Sequence, residues 1–354
     1  CGRQGGLRMD DLKRRATVHD VAREAGVSLA TVDRVLNGRP GVRGETAEKV
    51  ADAIRSLDFR RDVSASLLAR ARDLSVTFLI PDGSNAFMAS LNAAITRHAQ
   101  ALKGERLSIV ARPIHAFDPA ALSAAIMALD PKTTDCAVIV ATEHETVRRA
   151  VEAASKRGIA VVTLVSDLPG SARRHFVGID NVAAGRTAAS LMGRFCPEGR
   201  IGILAGSLGL RDHRERLEGF TAVMEAEFPG HELIGPREGF DDDMLTEAAV
   251  TELLGGPPLA GIYNLGAGNA GLIAALGKHG DSGRIRVVAH ELTDATRNGL
   301  RSGAIDVVLD QNPDGEIAAA LAVARGFAMG DSAHHPAPQP APIEIGLFLR
   351  DNLR

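Results

Sequence analysis

Apolar residues recur at helical spacing near the start of the chain, from Thr17 onward. They lie three and four positions apart until Gly26, which predicts one short amphipathic helix ending at that glycine. Thr17 and Asp20 have the spacing of an N-terminal capping box, with Asp in place of the usual Glu. The apolar face of this predicted helix comprises Val18, Val21, Ala22 and Ala25.

Two more short helices are predicted to follow. Ser28 is a typical N-cap for the second helix, and the Gly- and Pro-rich residues 38–44 predict a loop before the third. The predicted buried positions are Val32, Val35, Leu36, Ala47, Val50, Ala51, Ile54 and Leu57. The outer face of the second helix comprises Leu29, Ala30, Asp33, Arg34 and Asn37. Three short helices with a tight turn after the first describe a helix-turn-helix, whose second helix can enter the major groove of DNA.

From residue 75 onward the pattern changes to short β-branched runs that alternate with amphipathic segments. This alternation is typical of βαβ units and of parallel sheets covered on both faces. The runs are VTFLIP, LSIVARP, CAVIVA, AVVTLVS, HFVGID, RIGILAG, LAGIYNL, IRVVAHE and AIDVVLDQ. They predict an α/β fold of two doubly wound lobes behind an all-α head, with a ligand at the carboxyl ends of the strands.

These patterns divide the chain into four predicted regions. They are an N-terminal extension at 1–16, a helix-turn-helix domain at 17–60, a linker at 61–73 and a two-lobed domain at 74–354. The predicted lobes are about 74–177 with 312–335, and about 178–311 with 340–354. The Pro- and Ala-rich stretch from His334 to Pro342 predicts a connector between them.

Composition narrows the class of protein. The chain has 354 residues, of which 45% are hydrophobic and 24% charged, so it can bury large cores and is longer than one domain. Apolar runs such as Ala137 to Ala141 are far shorter than the ~20 residues of a membrane span, and residues 1–15 contain no segment of signal-peptide type. We therefore expect a cytoplasmic protein without membrane contact, with Met9 as its start and residues 1–8 as an extension without function.

Cysteine use predicts neither a disulfide framework nor a metal site. Cys1, Cys136 and Cys196 are scattered along the chain, and no CxxC or Cys/His cluster is present. We expect all three thiols to be inert.

Charge is unevenly distributed between the head and the body. Residues 1–72 contain 15 Lys and Arg against 10 Asp and Glu, whereas the remainder contains 26 against 34. A basic end on an acidic body is consistent with nucleic-acid binding at that end, although a small basic module can also be merely soluble.

The string TVHDVAREAGVSLATVDRVLNG from Thr17 to Gly38 resembles the DNA-binding signature of the lactose-repressor (LacI) family of bacterial transcription regulators. The resemblance implies base-edge contacts from Leu29, Ala30 and Arg34. It implies phosphate contacts from Thr17, Ser28, Thr31 and Asn37. Asp33 departs from the family, which usually has Ser there; its carboxylate could accept from cytosine N4, pair with a neighbouring Arg or repel phosphate. The operator sequence therefore stays open.

The family resemblance extends to the linker and to the oligomeric state. It implies a hinge helix from Val63 to Arg70 that folds on DNA, with Leu68 as an apolar wedge in the minor groove. The alternative is an ordinary linker in which Leu67 and Leu68 cap the next domain. The family also implies a homodimer or a higher oligomer on pseudo-palindromic double-stranded operator DNA.

The body resembles the type I periplasmic-binding fold of ribose-binding proteins. That resemblance implies an effector site made of seven residues at strand or helix ends: Asn85, Phe87, Glu143, Arg214, Asn264, Glu291 and Gln311. Carboxylates, amides, one guanidinium and one ring suit a small sugar, sugar alcohol or sugar acid. Arg214 could meet a carboxylate, so neutral and acidic effectors both stay open. Met88, Leu265 and Glu291 depart from the ribose-binding pattern, and Asp180 can equally be a helix cap.

Gly266, Gly268 and Gly271 spell GxGxxG after a predicted strand, and Glu291 ends the next strand. Alone, this arrangement matches a dinucleotide-binding fingerprint and gives the alternative of an NAD(P)-dependent oxidoreductase. We prefer binding without cofactor or catalysis, because no nucleophile with an adjacent base is visible and His144, His213 and His290 are at best pocket-wall candidates.

A solute-binding protein of a sugar transporter would share the body but lack the head. The sequence therefore predicts a transcriptional repressor under allosteric control, with the direction of the effector's action left open.

Overall fold

The protein is described by a computed structural model that covers residues 16–36, 41–57, 59, 73–281, 283–328 and 342–353. The chain divides into two compact units. The head unit comprises Cys1–Asp73 with Arg325–Gln339, and the body unit comprises Leu74–Ala324 with Pro340–Arg354. The predicted hinge helix, the Pro- and Ala-rich connector and Cys1 lie outside the described residues.

The head contains the three predicted helices. They are α1 (Val18–Ala25), α2 (Leu29–Leu36) and α3 (Gly44–Ser56). The predicted capping box is confirmed, because Thr17 Oγ1 accepts from Asp20 N at 3.3 Å while the Asp20 carboxylate accepts from Thr17 N at 2.8 Å. Gly26 ends α1 with a φ of 63°, a left-handed conformation that glycine adopts without steric cost.

The head has its own small hydrophobic core. Val21, Val32 and Val50 contribute one fully buried side chain from each helix. The other buried members are Ala22, Val35, Leu36, Ala53 and Ile54. The apolar stripe predicted for α2 is therefore confirmed, and the opposite face of that helix is left to solvent.

The first lobe of the body is a parallel sheet in the order β2-β1-β3-β4-β5. Its strands are β1 (Leu74–Pro81), β2 (Leu107–Ile114), β3 (Cys136–Ile139), β4 (Ala160–Leu164) and β5 (His175–Val177). Its helices are α4 (Ala86–Ala101), α5 (Pro119–Met127) and α6 (Glu145–Lys156). The central strand β3 is buried throughout because helices cover both faces of the sheet.

The second lobe is a sheet in the order β11-β10-β9-β8-β6-β7, in which only β11 runs antiparallel to its neighbour. Its strands are β6 (Arg200–Ala205), β7 (Glu232–Glu238), β8 (Leu259–Asn264), β9 (Arg286–His290), β10 (Val307–Asp310) and β11 (Gly346–Phe348). The helices after β5 are α7 (Asn181–Phe195), α8 (Arg211–Glu227), α9 (Asp243–Leu254), α10 (Asn269–His279), α11 (Asp294–Ser302) and α12 (Pro313–Ala328). A 3-10 turn follows at Arg350–Asn352.

All nine predicted runs contain a strand, and the predicted α/β class with parallel sheets is confirmed. The sequence analysis missed β7 and β11, which lie at the two edges of the second sheet. Pro236 within β7 removes a backbone donor, which an edge strand tolerates, and β11 has only three residues. Neither ELIGPRE nor GLF contains a run of β-branched residues, so both strands carry a weak sequence signal.

The described ranges contain no helix with the length and hydropathy needed to cross a membrane. In the same ranges, no three His, Cys, Asp or Glu side chains are grouped so that they could hold a metal ion. Cys136 and Cys196 are free and buried, and burial raises the pKa of their thiols to about 12 and about 11. Both thiols are therefore held in the unreactive protonated form.

Candidate functional site

The exposed face of α2 is the candidate nucleic-acid interface of the head. Leu29, Ala30, Asp33 and Arg34 are all exposed, on the side opposite the core stripe. Leu29 is 42% exposed, so its apolar side chain is accessible to an apolar base edge. The predicted contacts of Asn37 and Leu68 lie outside the described residues.

The predicted phosphate-binding hydroxyls also cap helices. Thr17 Oγ1 donates to Asp20 Oδ2 at 2.6 Å, so its proton must change partner before it can reach a phosphate oxygen. Ser28 Oγ lies 2.9 Å from Thr31 Oγ1 and accepts from Thr31 N at 3.2 Å. Only one hydroxyl of this pair donates to the other, so the second keeps a proton for an external acceptor.

In the body, the carboxyl ends of the strands from the two lobes face each other across a cleft. Asn85, which follows β1, caps α4 by accepting from Phe87 N at 2.9 Å and Met88 N at 3.1 Å. Its Nδ2 donates across the cleft to Asp241 Oδ2, which follows β7, at 3.0 Å. Asp241 Oδ1 in turn accepts from Ala267 N at 2.8 Å. Strand ends from both lobes therefore meet at this point.

The cleft contains several chambers, of which an outer and an inner chamber have five wall residues in common. The outer chamber has a volume of about 190 Å³ and mainly apolar walls, which include Met88, Phe117 and Phe240. The rings of Phe117 and Phe240 form an edge contact with centroids 6.1 Å apart. The inner chamber measures about 20 Å³ and has a polar floor. Both chambers are lined by Asn85, Met88, Val140, Leu210 and Asp241.

The floor of the inner chamber is a network centred on Glu291. Glu291 Oε1 accepts from Gln311 Nε2 at 2.8 Å and from Arg216 Nη1 at 3.4 Å. Arg216 is 1% exposed and also donates to Asn181 Oδ1 and to the Leu265 carbonyl, each at 2.9 Å. A buried guanidinium is tolerated here because the Glu291 carboxyl, the Asn181 amide and the Leu265 carbonyl accept its hydrogen bonds.

Burial shifts the pKa values of several groups around this floor. Burial raises the pKa of Glu291 to about 8, although Arg216 and the hydrogen bond from Gln311 favour the ionised form. Behind it, burial and the neighbouring Glu291 raise the pKa of Glu316 well above its usual range. Burial also lowers the pKa of His290 well below its usual value, so the imidazole that meets Tyr263 OH at 2.9 Å is neutral.

Backbone strain is concentrated in the same walls. Val165, Asp241 and Glu291 have φ values of 65°, 56° and 72°, in the left-handed region that non-glycine residues rarely occupy. All three line the inner chamber. Strained conformations of this kind persist where the surrounding structure enforces them, which is common at ligand-binding sites.

The structure brings together four of the seven predicted effector residues. Asn85, Phe87, Glu291 and Gln311 line the inner chamber. Asn264 lies next to the inner chamber. Its Nδ2 donates to Ala267 O and to Asn269 Oδ1, each at 2.9 Å, so this side chain holds the loop after β8 in place.

Glu143 and Arg214 lie outside the walls of both chambers. Instead they pair with each other from opposite lobes at the cleft rim, where Glu143 also accepts from Arg148 at 2.7 Å. His144 caps α6 and Asp180 caps α7, by accepting from Thr146 N and Ala183 N respectively. Of the three pocket-wall histidine candidates, His213 lines the inner chamber.

Sequence reasoning missed Asp212, Arg216 and Asp241. The first two share the buried face of α8 with Phe220 and Val223, at spacings of three and four residues. That periodicity was available in the sequence and indicates Arg216 rather than Arg214 as the inward-facing guanidinium. Asp241 follows β7, the edge strand that the sequence pattern did not reveal, and so had no visible strand end to follow.

The GxGxxG segment serves helix packing in this structure. A Cβ at Gly271 would overlap the backbone carbonyl of Asp243 in α9, and one at Gly268 would overlap the Thr246 side chain. These glycines therefore let α10 approach α9 closely, which explains the motif without a pyrophosphate.

A helix-turn-helix unit joined to a two-lobed unit with a strand-end cleft defines a class of ligand-responsive DNA-binding proteins. Residues 17–62 match the family described as bacterial regulatory proteins, lacI family, and residues 76–332 match the periplasmic binding protein domain. The match over 76–332 makes the chain a member of the periplasmic binding protein domain family, and its head belongs to the LacI family of bacterial regulatory proteins.

Among curated proteins, the chain is similar to catabolite control protein A of Priestia megaterium, with 47% identity over 79 residues. It is also similar to the HTH-type transcriptional regulator pepR1 of Lactobacillus delbrueckii subsp. lactis, with 42% identity over 83 residues. These alignments span 22% and 23% of this chain, and 24% and 25% of the relatives. The matches thus cover about a quarter of each relative's length.

Solved structures resemble the body. A solute-binding protein from Burkholderia graminis in complex with D-arabinose has a TM-score of 0.72 at 24% identity, covering 80% of this chain and 97% of the other. A solute-binding protein from Agrobacterium vitis with bound D-fucose has a TM-score of 0.71 at 16% identity, covering 78% and 96%. At these identities the likeness establishes the fold.

Proposed function

We propose that the protein is a transcriptional repressor whose affinity for operator DNA is set by a small carbohydrate bound between the lobes of its body. One observation carries this proposal: a single chain combines an exposed recognition face on α2 with a cleft whose floor is buried, polar and strained. The regulators that resemble the head and the sugar complexes that resemble the body support the two halves separately.

On the DNA side, two heads of a homodimer read the half-sites of a pseudo-palindromic operator in the cytoplasm. Leu29, Ala30 and Arg34 approach base edges, and Asp33 discriminates at a neighbouring position. Thr17, Ser28, Thr31 and Asn37 hold phosphates, and Leu68 in the hinge helix at 63–70 wedges into the minor groove.

On the effector side, sugar hydroxyls bond with the polar floor of the inner chamber and the apolar face of the ring packs on Phe87. Asn85, Glu291 and Gln311 are joined in this role by Asp212, Arg216 and Asp241. Asn264 acts by holding the loop that closes the chamber. Glu143 and Arg214 act at the rim, where their ion pair joins the lobes.

Effector binding couples to DNA binding through the movement of the lobes. The inner chamber of about 20 Å³ is too small to hold a sugar ring by itself, so the cleft opens for entry and closes again over the ring, with the rim ion pair formed again. The changed spacing of the lobes alters the spacing of the two linkers in the dimer. Such coupling between sites typically amounts to ~1–3 kcal/mol.

The test measures DNA binding with and without sugars. The full-length protein is titrated against a labelled fragment of its own upstream region at low ionic strength, and then again with a panel of pentoses, hexoses and sugar alcohols. We expect retention of that fragment over a scrambled one, and a change of affinity of about 5- to 150-fold with one of the sugars. Absence of retention, or retention that no carbohydrate alters, would contradict the proposal.

A solute-binding protein is the competing function, because the body shares its fold with several of them. It accounts for the cleft but leaves the helix-turn-helix without a role. High sugar affinity together with no preference for any DNA fragment would favour it.

A further inference from the structure

Four polar atoms of the inner chamber have no hydrogen-bond partner among the described residues. They are Asp212 Oδ1, Glu291 Oε2, Gln311 Oε1 and Arg216 Nη2. All four belong to side chains that line the chamber, and each residue is at most 5% exposed. Because buried polar atoms are costly without a partner, these four atoms favour a bound molecule that can satisfy their hydrogen bonds.

The four atoms differ in whether they donate or accept hydrogen bonds. An amide oxygen accepts only, a carboxylate oxygen accepts only while it is ionised, and the guanidinium donates only. A ligand must therefore bring several donors and at least one acceptor to the same small space. A hydroxyl group can donate and accept at once, whereas a carboxylate or phosphate oxygen only accepts.

The charged residues of the chamber lining also favour a ligand without negative charge. Arg216 is the only Lys or Arg among the chamber's lining residues, and its other hydrogens already bond with Asn181, Leu265 and Glu291. The lining also includes three acidic side chains, and a fourth, the fully buried Glu316, lies close enough to Glu291 for Glu291 to raise its pKa. The acidic lining residues are Asp212, Asp241 and Glu291.

We propose that the effector is an uncharged polyhydroxylated compound and that the inner chamber rejects sugar acids and sugar phosphates. This rests on the proposed carbohydrate-controlled function and narrows it. An acidic group would bring only acceptors to a floor where acceptors of Asp212 and Gln311 already lack a donor, and would add a negative charge beside the acidic side chain of Asp212. Arg214, which left acidic ligands open in the sequence, is engaged at the rim by Glu143.

The test compares sugars that share a carbon skeleton but differ in charge. Calorimetry with the full-length protein at neutral pH uses D-glucose, D-galactose and D-arabinose, each against its uronic or aldonic acid, and D-glucosamine as a cationic probe. We expect at least one neutral sugar to bind, and its acid to bind at least about 100-fold more weakly, as for a buried charge without compensation.

Variants of the floor residues then test whether these residues cause the rejection of acidic sugars. Asp212→Asn at neutral pH, and Glu291→Gln at pH 9, where the Glu291 carboxyl of the wild type is ionised, each remove a negative charge while keeping the shape of the side chain. Each should reduce the preference for the neutral sugar over its acid by about 10-fold. Glu225→Gln, an exposed carboxylate on α8, is the matched control and should leave the ratio unchanged. If one of the two floor variants fails to fold, the other variant and the ratio of neutral to acid affinity in the wild type still test the inference.

The outcomes separate this inference from the function on which it rests. If an acid, or D-glucosamine, binds as tightly as the matched neutral sugar or more tightly, the inference is wrong while a carbohydrate effector stands. If no compound of any charge binds but the protein still selects its operator, the carbohydrate effector itself is wrong, and the inference falls with it.

Discussion

Arg214 and Arg216 lie two residues apart on α8 in opposite environments. The Arg214 side chain is 40% exposed at the cleft rim, whereas that of Arg216 is 1% exposed in the floor. Two positions on a helix differ by about 200° in direction, so the sequence determines this difference once the buried face is known. The residue types of the site were predictable from strand ends, but this choice between neighbours required the helical phase set by Phe220.

The raised pKa of Glu291 makes stability depend on pH. The folded protein keeps this proton up to about pH 8, whereas the unfolded chain releases it near its ordinary value of 4.5. The folded state binds more protons between these values, so the free energy of unfolding falls as pH rises, by at most about 1.4 kcal/mol per pH unit. Glu291→Gln removes this contribution, so its stability relative to wild type should increase from about pH 5 to about pH 8.

Urea denaturation of both proteins across this pH range, without added sugar, measures the effect. Glu225→Gln serves as the control and should run parallel to wild type, since that side chain is exposed. A constant difference between wild type and Glu291→Gln over the whole range would show that the carboxyl is ionised in the folded protein.

Arg34 tests whether the exposed face of α2 reads bases. Arg34→Ala should cost about 1–3 kcal/mol on the operator and much less on random DNA, because a guanidinium forks to two acceptors of guanine. Fluorescence anisotropy on both DNAs at one salt concentration measures this. Arg23→Ala on α1, with a side chain 78% exposed, is the charge-matched control and should affect both DNAs equally. Equal losses for Arg34→Ala would assign it to phosphate.

At the scale of elements, the close approach of α9 and α10 shapes the cleft wall behind Ala267. Gly271 in α10 lies against the backbone of Asp243, with no room for a methyl group. Asp243 Oδ1 also accepts from Gly271 N at 3.3 Å. A pattern that sequence reasoning assigns to dinucleotide binding therefore has a packing cause here.

Two glycine substitutions in α10 distinguish the effect of steric packing on stability from the effect of helix propensity. Gly271→Ala should destabilise the body by roughly 1–3 kcal/mol, since the new methyl overlaps backbone atoms that cannot rotate away. Gly277→Ala, six residues further on in α10, has open space around its Cβ and should stabilise by roughly 0.5–1 kcal/mol. Chemical denaturation of the two variants measures both signs. Two similar values would mean that the helices can move apart without cost.

Most elements could be predicted because their sequence signals are local. The three head helices, their cap at Thr17 and the nine predicted strands follow from periodicity and end residues. Strands β7 and β11 could not be predicted, because neither contains a run of β-branched residues. The same cause hid Asp241 from the predicted site, so one missed edge strand removed a site residue.

At the scale of the whole body, contacts across the cleft hold the two lobes together. They include the hydrogen bond from Asn85 to Asp241, the ion pair of Glu143 with Arg214 and the edge contact of Phe117 with Phe240. Each joins the end of a first-lobe element to one in the second lobe. The closed arrangement is thus stabilised by side chains of the protein itself, and a ligand needs only to shift this balance.

The rim ion pair provides a test of that balance. Glu143→Gln and Arg214→Gln should each weaken effector affinity by about two- to fivefold, because a half-exposed pair contributes at most about 1 kcal/mol to closure. The double variant should be no worse than either single variant. Calorimetry on the four proteins completes the cycle, and additive losses would show that the two side chains act independently.

The division of the chain at Asp73 and Leu74 has a consequence for how such proteins diversify and can be engineered. Each unit has its own hydrophobic core, so under the proposed function we expect substitutions on α2 to change the preferred DNA sequence without disturbing the cleft, and the reverse also to hold. We therefore expect that grafting this body onto a head of known DNA preference would give a biosensor whose output is already known.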